Sequence, residues 1–515
     1  MKTFRYHIAL LIVVLTAIAT NVQAQDDERA LGAAADTIIR TETRDYIVNR
    51  IVENVYQSHP TASLATRLAK AYYNYNENSE TKERMFHKND TAHAFLFIKR
   101  ALELDPKYAP AYVLASDILN YAGQRDVAMQ WLDNGIAQNP TDSSLYIASA
   151  LLLAYTDSEA AIAKLKVLKE KDPNFPVDLQ LGRLYYELYN HHGQLPMNEM
   201  AIHFGKAYDG GDKERMTVGD LAAYANSLQW ADQVSDRFNK AYDVCTYGIG
   251  KFPKDVGLRK FFFYSCWATS KWEEGITAAQ NLFSLDSTKV GVIDYLRYGM
   301  CLKGAKRYDE AIAQYEKIIG MDDATERNRT DAENNIAAAI TAQVDEVRKA
   351  GDYQKALAII KPYVEKYKAM GKQNDNLMIN YGFIYVTWSA DLKDEEKKNS
   401  LLTAIKIFED ASANSELNKY MFLRQCVYYS FAVDPDLKDG IGMPFARKLI
   451  DDLGSKSNLD SDDKRNLIIG YEYMMRYEYF VNNRNKKGAI AWGEKMLDLD
   501  PSNQTALQFI TVLSK

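Results

Sequence analysis

The stretch VIDYLRYGMCLKGAKRYDEAIAQYEKIIGMDD, Val292–Asp323, decides how the chain is built. Tyr295, Tyr298, Gly299 and Leu302 mark one face of a first helix, and a turn follows at Gly304-Ala305-Lys306. Tyr308-Asp309-Glu310-Ala311 then opens a second helix that carries Tyr315 and Ile318. Apolar residues return at three- and four-residue steps in both segments, the pattern of an amphipathic helix. Gly299 and Ala311 put a small residue on each helix, so the antiparallel pair can approach closely. A bulky side chain at either place would pry the hairpin apart.

Working outward, the same unit recurs with a fixed beat. Leu104-Asp105-Pro106 is answered by Gln138-Asn139-Pro140 and Lys171-Asp172-Pro173, at spacings of 34 and 33. Similar endings return at Phe252-Pro253, Met321-Asp322-Asp323 and Asp498-Leu499-Asp500-Pro501. A constant period of this length marks a stacked repeat protein, whose units cannot bury their apolar faces alone.

These hairpins resemble the tetratricopeptide repeat family. Its Leu-Gly-x-x-Tyr element appears as Leu181-Gly182-Arg183-Leu184-Tyr185, Tyr381-Gly382-Phe383-Ile384-Tyr385 and Ile469-Gly470-Tyr471-Glu472-Tyr473, with a weaker version at Leu68-Ala69-Lys70-Ala71-Tyr72. The small residue of the second helix is Ala94, Ala128, Ala161, Ala201, Ala241, Gly275, Ala311, Ala356, Ala404, Ala446 and Ala489 in turn. Pro106, Pro140, Pro173, Pro253 and Pro501 close units, since proline restricts the residue before it and breaks the helical ladder. The resemblance covers nearly the whole chain after residue 24. It implies an all-α solenoid, a right-handed superhelix of about eleven helix hairpins between residues 60 and 500. Asn503–Leu513 is expected as a capping helix, amphipathic through Ala506, Phe509, Ile510 and Leu513.

Several segments depart from the pattern. Asn76–Asp90 and His191–Asn198 read as polar insertions, and Ala324–Ala350 as an unusually long first helix. Residues 414–460 fit loosely, with Gly440-Ile441-Gly442-Met443-Pro444 as a turn before a short helix. A break near 324–336 or 390–400 suggests one array over 60–323 and a second over 324–515. Residues 25–59 are read as a solvated leader to about residue 45, running into a first helix over 44–57.

The first 24 residues stand apart. Met1-Lys2-Thr3-Phe4-Arg5 is basic, Ile8 to Ala19 is almost unbroken apolar sequence, and Asn21-Val22-Gln23-Ala24 ends in a small-x-small pattern. This is read as a secretory signal cleaved after Ala24. The apolar run is short for a spanning helix, no membrane-length run comes after it, and no lipid-anchor Cys stands at the cleavage site. Removing Lys2 and Arg5 from the 63 basic residues leaves 61 against 69 acidic ones, a mature charge of −8. An acidic chain without a Lys/Arg stripe is a poor partner for nucleic acid. Cys245, Cys266, Cys301 and Cys426 are read as small apolar core residues, with a Cys245–Cys266 pairing as the alternative.

No catalytic arrangement is present: no HExxH, phosphate loop, GxGxxG or Gly-x-Ser-x-Gly elbow. His87 and His93 flank one insertion, and His191 and His192 sit at the other. Asp90 or Glu199 could add carboxylates, but these residues are read as solvated loops, so no metal, cofactor or enzymatic activity is expected. What remains is a concave face, which the resemblance assigns to the first helices and to peptide partners. Tyr73, Leu151, Tyr186, Tyr264, Trp267, Met300, Phe383 and Tyr471 project to that face. The Lys/Asn carboxylate clamp of chaperone-binding members has no match here. Composition resembles exported proteins of the Bacteroidetes. The reading is a non-enzymatic scaffold of a Gram-negative envelope, periplasmic or at the outer membrane, holding a protein or peptide partner. The alternative is an outer-surface glycan- or small-ligand-binding protein that uses exposed aromatics.

Overall fold

A computed structural model describes residues 24–41, 45–73, 75–77, 84–86, 90–154, 156–192 and 196–514. Residues 1–23, which hold most of the signal-like segment, lie outside the described residues, as do His87 and the side chains of His191 and His192. Among the described residues two helices come first, α1 (Ala24–Thr41) and α2 (Asp45–Ser58). Eleven helix pairs come next: α3/α4 (Ala62–Tyr73, Thr91–Leu104), α5/α6 (Ala109–Tyr121, Arg125–Gln138), α7/α8 (Ser143–Ala154, Ser158–Lys171), α9/α10 (Val177–His192, Met197–Asp209), α11/α12 (Val218–Trp230, Arg237–Lys251), α13/α14 (Val256–Ala268, Trp272–Leu285), α15/α16 (Val292–Gly304, Tyr308–Ile319), α17/α18 (Glu326–Lys349, Tyr353–Ala369), α19/α20 (Asp375–Trp388, Asp394–Asn414), α21/α22 (Lys419–Val433, Met443–Leu453) and α23/α24 (Ser461–Phe480, Lys486–Leu499). The chain ends on α25 (Gln504–Leu513), the expected last helix.

Why these helices pair is visible at the small residues. All ten second-helix alanines of the repeat pattern are at most 2% exposed. On the first helices, a Cβ built on Gly182 would lie 2.6 Å from the Phe204 ring. At Gly299 and Gly382 it would collide with Tyr315 and Phe408. The bare backbone therefore seats an aromatic ring from the second helix. The expectation that small residues merely bring two backbones together is refined: the space they leave is filled by that ring.

Helix boundaries follow local chemistry. Asp90, Asp157, Thr217, Asn374 and Asp460 each accept a backbone N–H of the first turn, the usual satisfaction of an orphan donor. Asp105, Asn139, Asp172, Phe252 and Asp500, each one residue before a closing proline, leave helical geometry. Two of these turns are clamped from the next first helix, as Tyr112 Oη donates to the Pro106 carbonyl (2.9 Å) and Tyr146 Oη to that of Pro140 (3.1 Å).

The contacts divide the chain into two compact units, one up to Ser265 and one from Cys266 to Lys515, with α13 running across the division. Each unit holds five complete helix pairs. In the first, α3, α5, α7, α9 and α11 lie side by side in sequence order. In the second, α15 packs on α17, α17 on α19, and α21 on α23. At residues 323/324, where the sequence suggested an array boundary, α16 and α17 pack directly.

Two sequence expectations need correction. Residues 25–45 are not simply a solvated leader: α1 occupies most of them and packs on α2 and α3, with Leu31, Ala35, Ile38 and Ile39 buried. Those four recur at helical spacing, but the charged Asp26–Arg29 start masks the signal. The insertion after α3 is also not wholly irregular, since Tyr75–Glu77 pairs antiparallel with Arg84–Phe86.

All four cysteines are buried, and none of these described residues forms a disulfide. Burial pushes the Cys266 and Cys301 thiols up to about 12, and it also raises Cys426. Because the thiolate is the reactive form, the native chain is expected to show no thiol reactive toward an aromatic disulfide reagent at pH 8, and four after denaturation. Rapid native labelling of any of them would contradict this packing.

Candidate functional site

In the first unit, three successive first helices line an open cavity of about 370 Å³. Ile147, Ala150 and Leu151 come from α7, Gln180, Arg183, Tyr186 and Glu187 from α9, and Gly219, Asp220 and Ala223 from α11. Leu165 and Phe204 reach it from the second helices α8 and α10. Phe204 is the ring seated on Gly182, so the contact that closes the α9/α10 hairpin also supplies part of the cavity wall.

The polar part is held by one ion pair. Arg183 grips Asp220 with both arms, Nε to Oδ1 at 2.8 Å and Nη2 to Oδ2 at 2.7 Å. Asp220 is the third residue of α11, and its Oδ2 also accepts from the Thr217 N–H and hydroxyl, both at 2.8 Å. Thr217 Oγ1 in turn accepts from the Asp220 N–H at 3.2 Å, completing a capping box. A side chain that starts one helix is thus the anchor for the preceding repeat. Burial alone would push the Asp220 carboxyl up, but the Arg183 and Thr217 bonds outweigh it and hold it below the usual carboxylate range.

Of the eight residues projected from sequence to the first-helix face, Leu151 and Tyr186 meet in this cavity. Leu151 is 39% exposed and Tyr186 half-buried. Three others lie on first helices and are buried. Tyr73 packs edge-on to Tyr121, Tyr264 lies between Phe261 and Phe263, and Tyr471 tilts against Trp492. Those three are packed against other side chains: Tyr73 and Tyr471 meet rings of other helices, and Tyr264 meets rings of its own. In the second unit, Trp267 is half-buried under the Arg297 guanidinium at 4.8 Å, Phe383 meets Phe408 edge-on, and Met300 is half-buried. Sequence reasoning missed Gln180, Arg183 and Asp220. Gln180 and Arg183 share a helical face with Tyr186 and Glu187, a signal that was present, whereas the Arg183–Asp220 pair joins residues 37 apart and needs the stacking of repeats.

Among the described residues no group of three His, Cys, Asp or Glu could hold a metal ion. His93 Nδ1 lies 2.6 Å from Asp90, the N-cap of its own helix, and Glu199 is exposed on α10.

No protein-family model and no curated protein matches the chain. Solved structures similar to it include the C-terminal part of a TPR repeat-containing protein from Cytophaga hutchinsonii, 18% identical, covering 56% of this chain and 99% of that one with a TM-score of 0.36. A tetratricopeptide repeat protein from Parabacteroides merdae is 14% identical over 48% of this chain and 92% of its own, with a TM-score of 0.27. PilW, described as a type IV pilus biogenesis factor, is 14% identical over 52% of this chain and 97% of its own, with a TM-score of 0.23. The class of fold rests on the hairpins themselves: stacked antiparallel helix pairs closed by a small residue and a seated ring make an all-α solenoid of the tetratricopeptide type.

The Arg183–Asp220 pair makes an acid-side prediction. With a folded value below the unfolded one, Asp220 contributes stability that is fully present above the unfolded carboxylate pKa of about 4 and is lost as pH falls through the folded value. Asp220→Asn is expected to cost about 2 kcal/mol at pH 7 by leaving Arg183 unpaired, and to flatten the loss of stability below pH 4. Urea melts at pH 7 and pH 3 check this; an unchanged pH dependence would contradict it.

Proposed function

We propose that the chain is a non-enzymatic scaffold that holds an extended segment of a partner protein against the first-helix face of its first unit. The observation that carries this reading is the cavity between α7, α9 and α11, where exposed Leu151 and half-buried Tyr186 stand beside the fixed Arg183–Asp220 pair. Apolar walls with a few positioned polar groups suit a side chain of a peptide ligand, and helices already packed in place lower the ordering cost of binding. Asp220 is committed to four hydrogen bonds, so it serves to fix the site, not to transfer protons.

The setting proposed is the envelope of a Gram-negative bacterium, periplasmic or at the outer membrane. Support comes from the basic, apolar and small-x-small succession over residues 1–24 and from the net acidic charge of residues 25–515. No helix among the described residues is long and apolar enough to cross a membrane.

A displayed library of random peptides selected on the full chain tests the groove. Recovered peptides are expected to lose about tenfold in affinity, about 1.4 kcal/mol, on Leu151→Asp or Tyr186→Ala, with the Leu151 variant melting as the native chain does. Peptides whose binding ignores both substitutions, or a selection that returns none, would contradict the proposal.

A further inference from the structure

The second unit carries a different constellation at the α19/α20 hairpin. Trp388 stacks on Tyr353 at 5.9 Å and 15°, and on Tyr385 at 6.4 Å and 29°. Ring planes in van der Waals contact lie about 3.5 Å apart. Both centroid separations are well above that distance, so neither pair is in full face-to-face overlap. Tyr385 and Trp388 stay half-exposed. On α20, Glu396, Asn399 and Thr403 form an exposed stripe at three- and four-residue spacing. The rings and this stripe, with Leu392 and Ser400, line a cavity of about 350 Å³. Ser400 Oγ donates to the Tyr385 carbonyl at 2.8 Å and ties the two helices together beside it. Among the described residues, the Glu396 carboxylate and the Asn399 amide have no hydrogen-bond or ion-pair partner. The Thr403 hydroxyl, which donates to the Asn399 carbonyl at 2.8 Å, keeps its acceptor lone pairs.

We infer that this pocket binds a neutral saccharide. A pyranose ring presents an apolar C–H face and a rim of hydroxyls, each both donor and acceptor. The half-exposed aromatic side chains of Tyr385 and Trp388 match the first, and an amide with donors and acceptors beside an unpaired carboxylate matches the second. An anionic ligand would meet Glu396 in the lining, and Asp391 nearby, where it accepts from Tyr353 Oη at 2.8 Å. An organic cation prefers a ring face aimed at it from more than one side, whereas these rings lie in near-parallel stacks. A cavity of this size is at the small end of ligand pockets and suits a short saccharide segment. The pocket lies wholly in the second unit and is independent of the peptide reading of the first.

Calorimetric titration of the full chain with maltohexaose, cellohexaose, mannohexaose and chitohexaose tests the inference, with tetramethylammonium as the competing probe. At least one oligosaccharide is expected to bind with Kd below about 1 mM. Asn399→Ala and Glu396→Gln are each expected to weaken it about fivefold or more, with melting unchanged because both side chains are on an exposed helix face. No binding by any of the four, binding insensitive to both substitutions, or binding of tetramethylammonium in place of the sugars would overturn it.

Discussion

The constraint on which the rest depends is the seating of an aromatic ring on a bare stretch of helix backbone. Phe204 occupies the place of a side chain at Gly182, Tyr315 at Gly299 and Phe408 at Gly382. Each ring is fully or almost fully buried, and a buried aromatic removes roughly 150–250 Å² from water, on the order of 4 kcal/mol at 25 cal/mol per Å². Glycine inside a helix costs about 1 kcal/mol relative to alanine. The burial is larger than that cost, which is the physical reason a poor helix former sits in the middle of these helices. Within a hairpin the ring and the second-helix alanine fix how close the helices lie, and in doing so they fix which first-helix residues remain uncovered.

The candidate site is a consequence of that spacing. With Phe204 seated on Gly182, the next residue, Arg183, reaches the start of α11 and closes on Asp220. The hairpin contact and the contact between repeats are thus adjacent in sequence, one sealing the pair and the other setting the distance to the following first helix. The cavity is the space left between helices whose separation these two contacts determine, with Leu151 and Tyr186 on its walls. In the second unit the same logic places Tyr385 three residues after Gly382 and Trp388 one turn further, so their rings emerge beside the start of α20.

Much of this was legible from the sequence because repeats encode it locally. The buried alanines, the closing prolines, the long α17 and the final helix are read from residues a few positions apart, at spacings set by helix geometry. Contacts between repeats were not legible. Arg183 and Asp220 are ordinary charged residues until stacking brings them together, and Tyr73 and Tyr471 share the phase of Tyr186 yet are covered by neighbours that no local pattern reveals. The helix α1 was hidden for a different reason, since its charged first turn outweighs four well-spaced apolar residues, Leu31, Ala35, Ile38 and Ile39.

The most direct measurement is a double-mutant cycle on Gly382 and Phe408, read by equilibrium urea unfolding. Gly382→Ala alone should gain about 1 kcal/mol from helix propensity, yet here it is expected to lose about 2 kcal/mol because the new methyl meets the Phe408 ring. In a Phe408→Leu background the same methyl should be tolerated, giving a coupling of at least about 1 kcal/mol between the two positions. Additive effects, or a Gly382→Ala chain more stable than the native one, would show that the seated ring does not hold the hairpin.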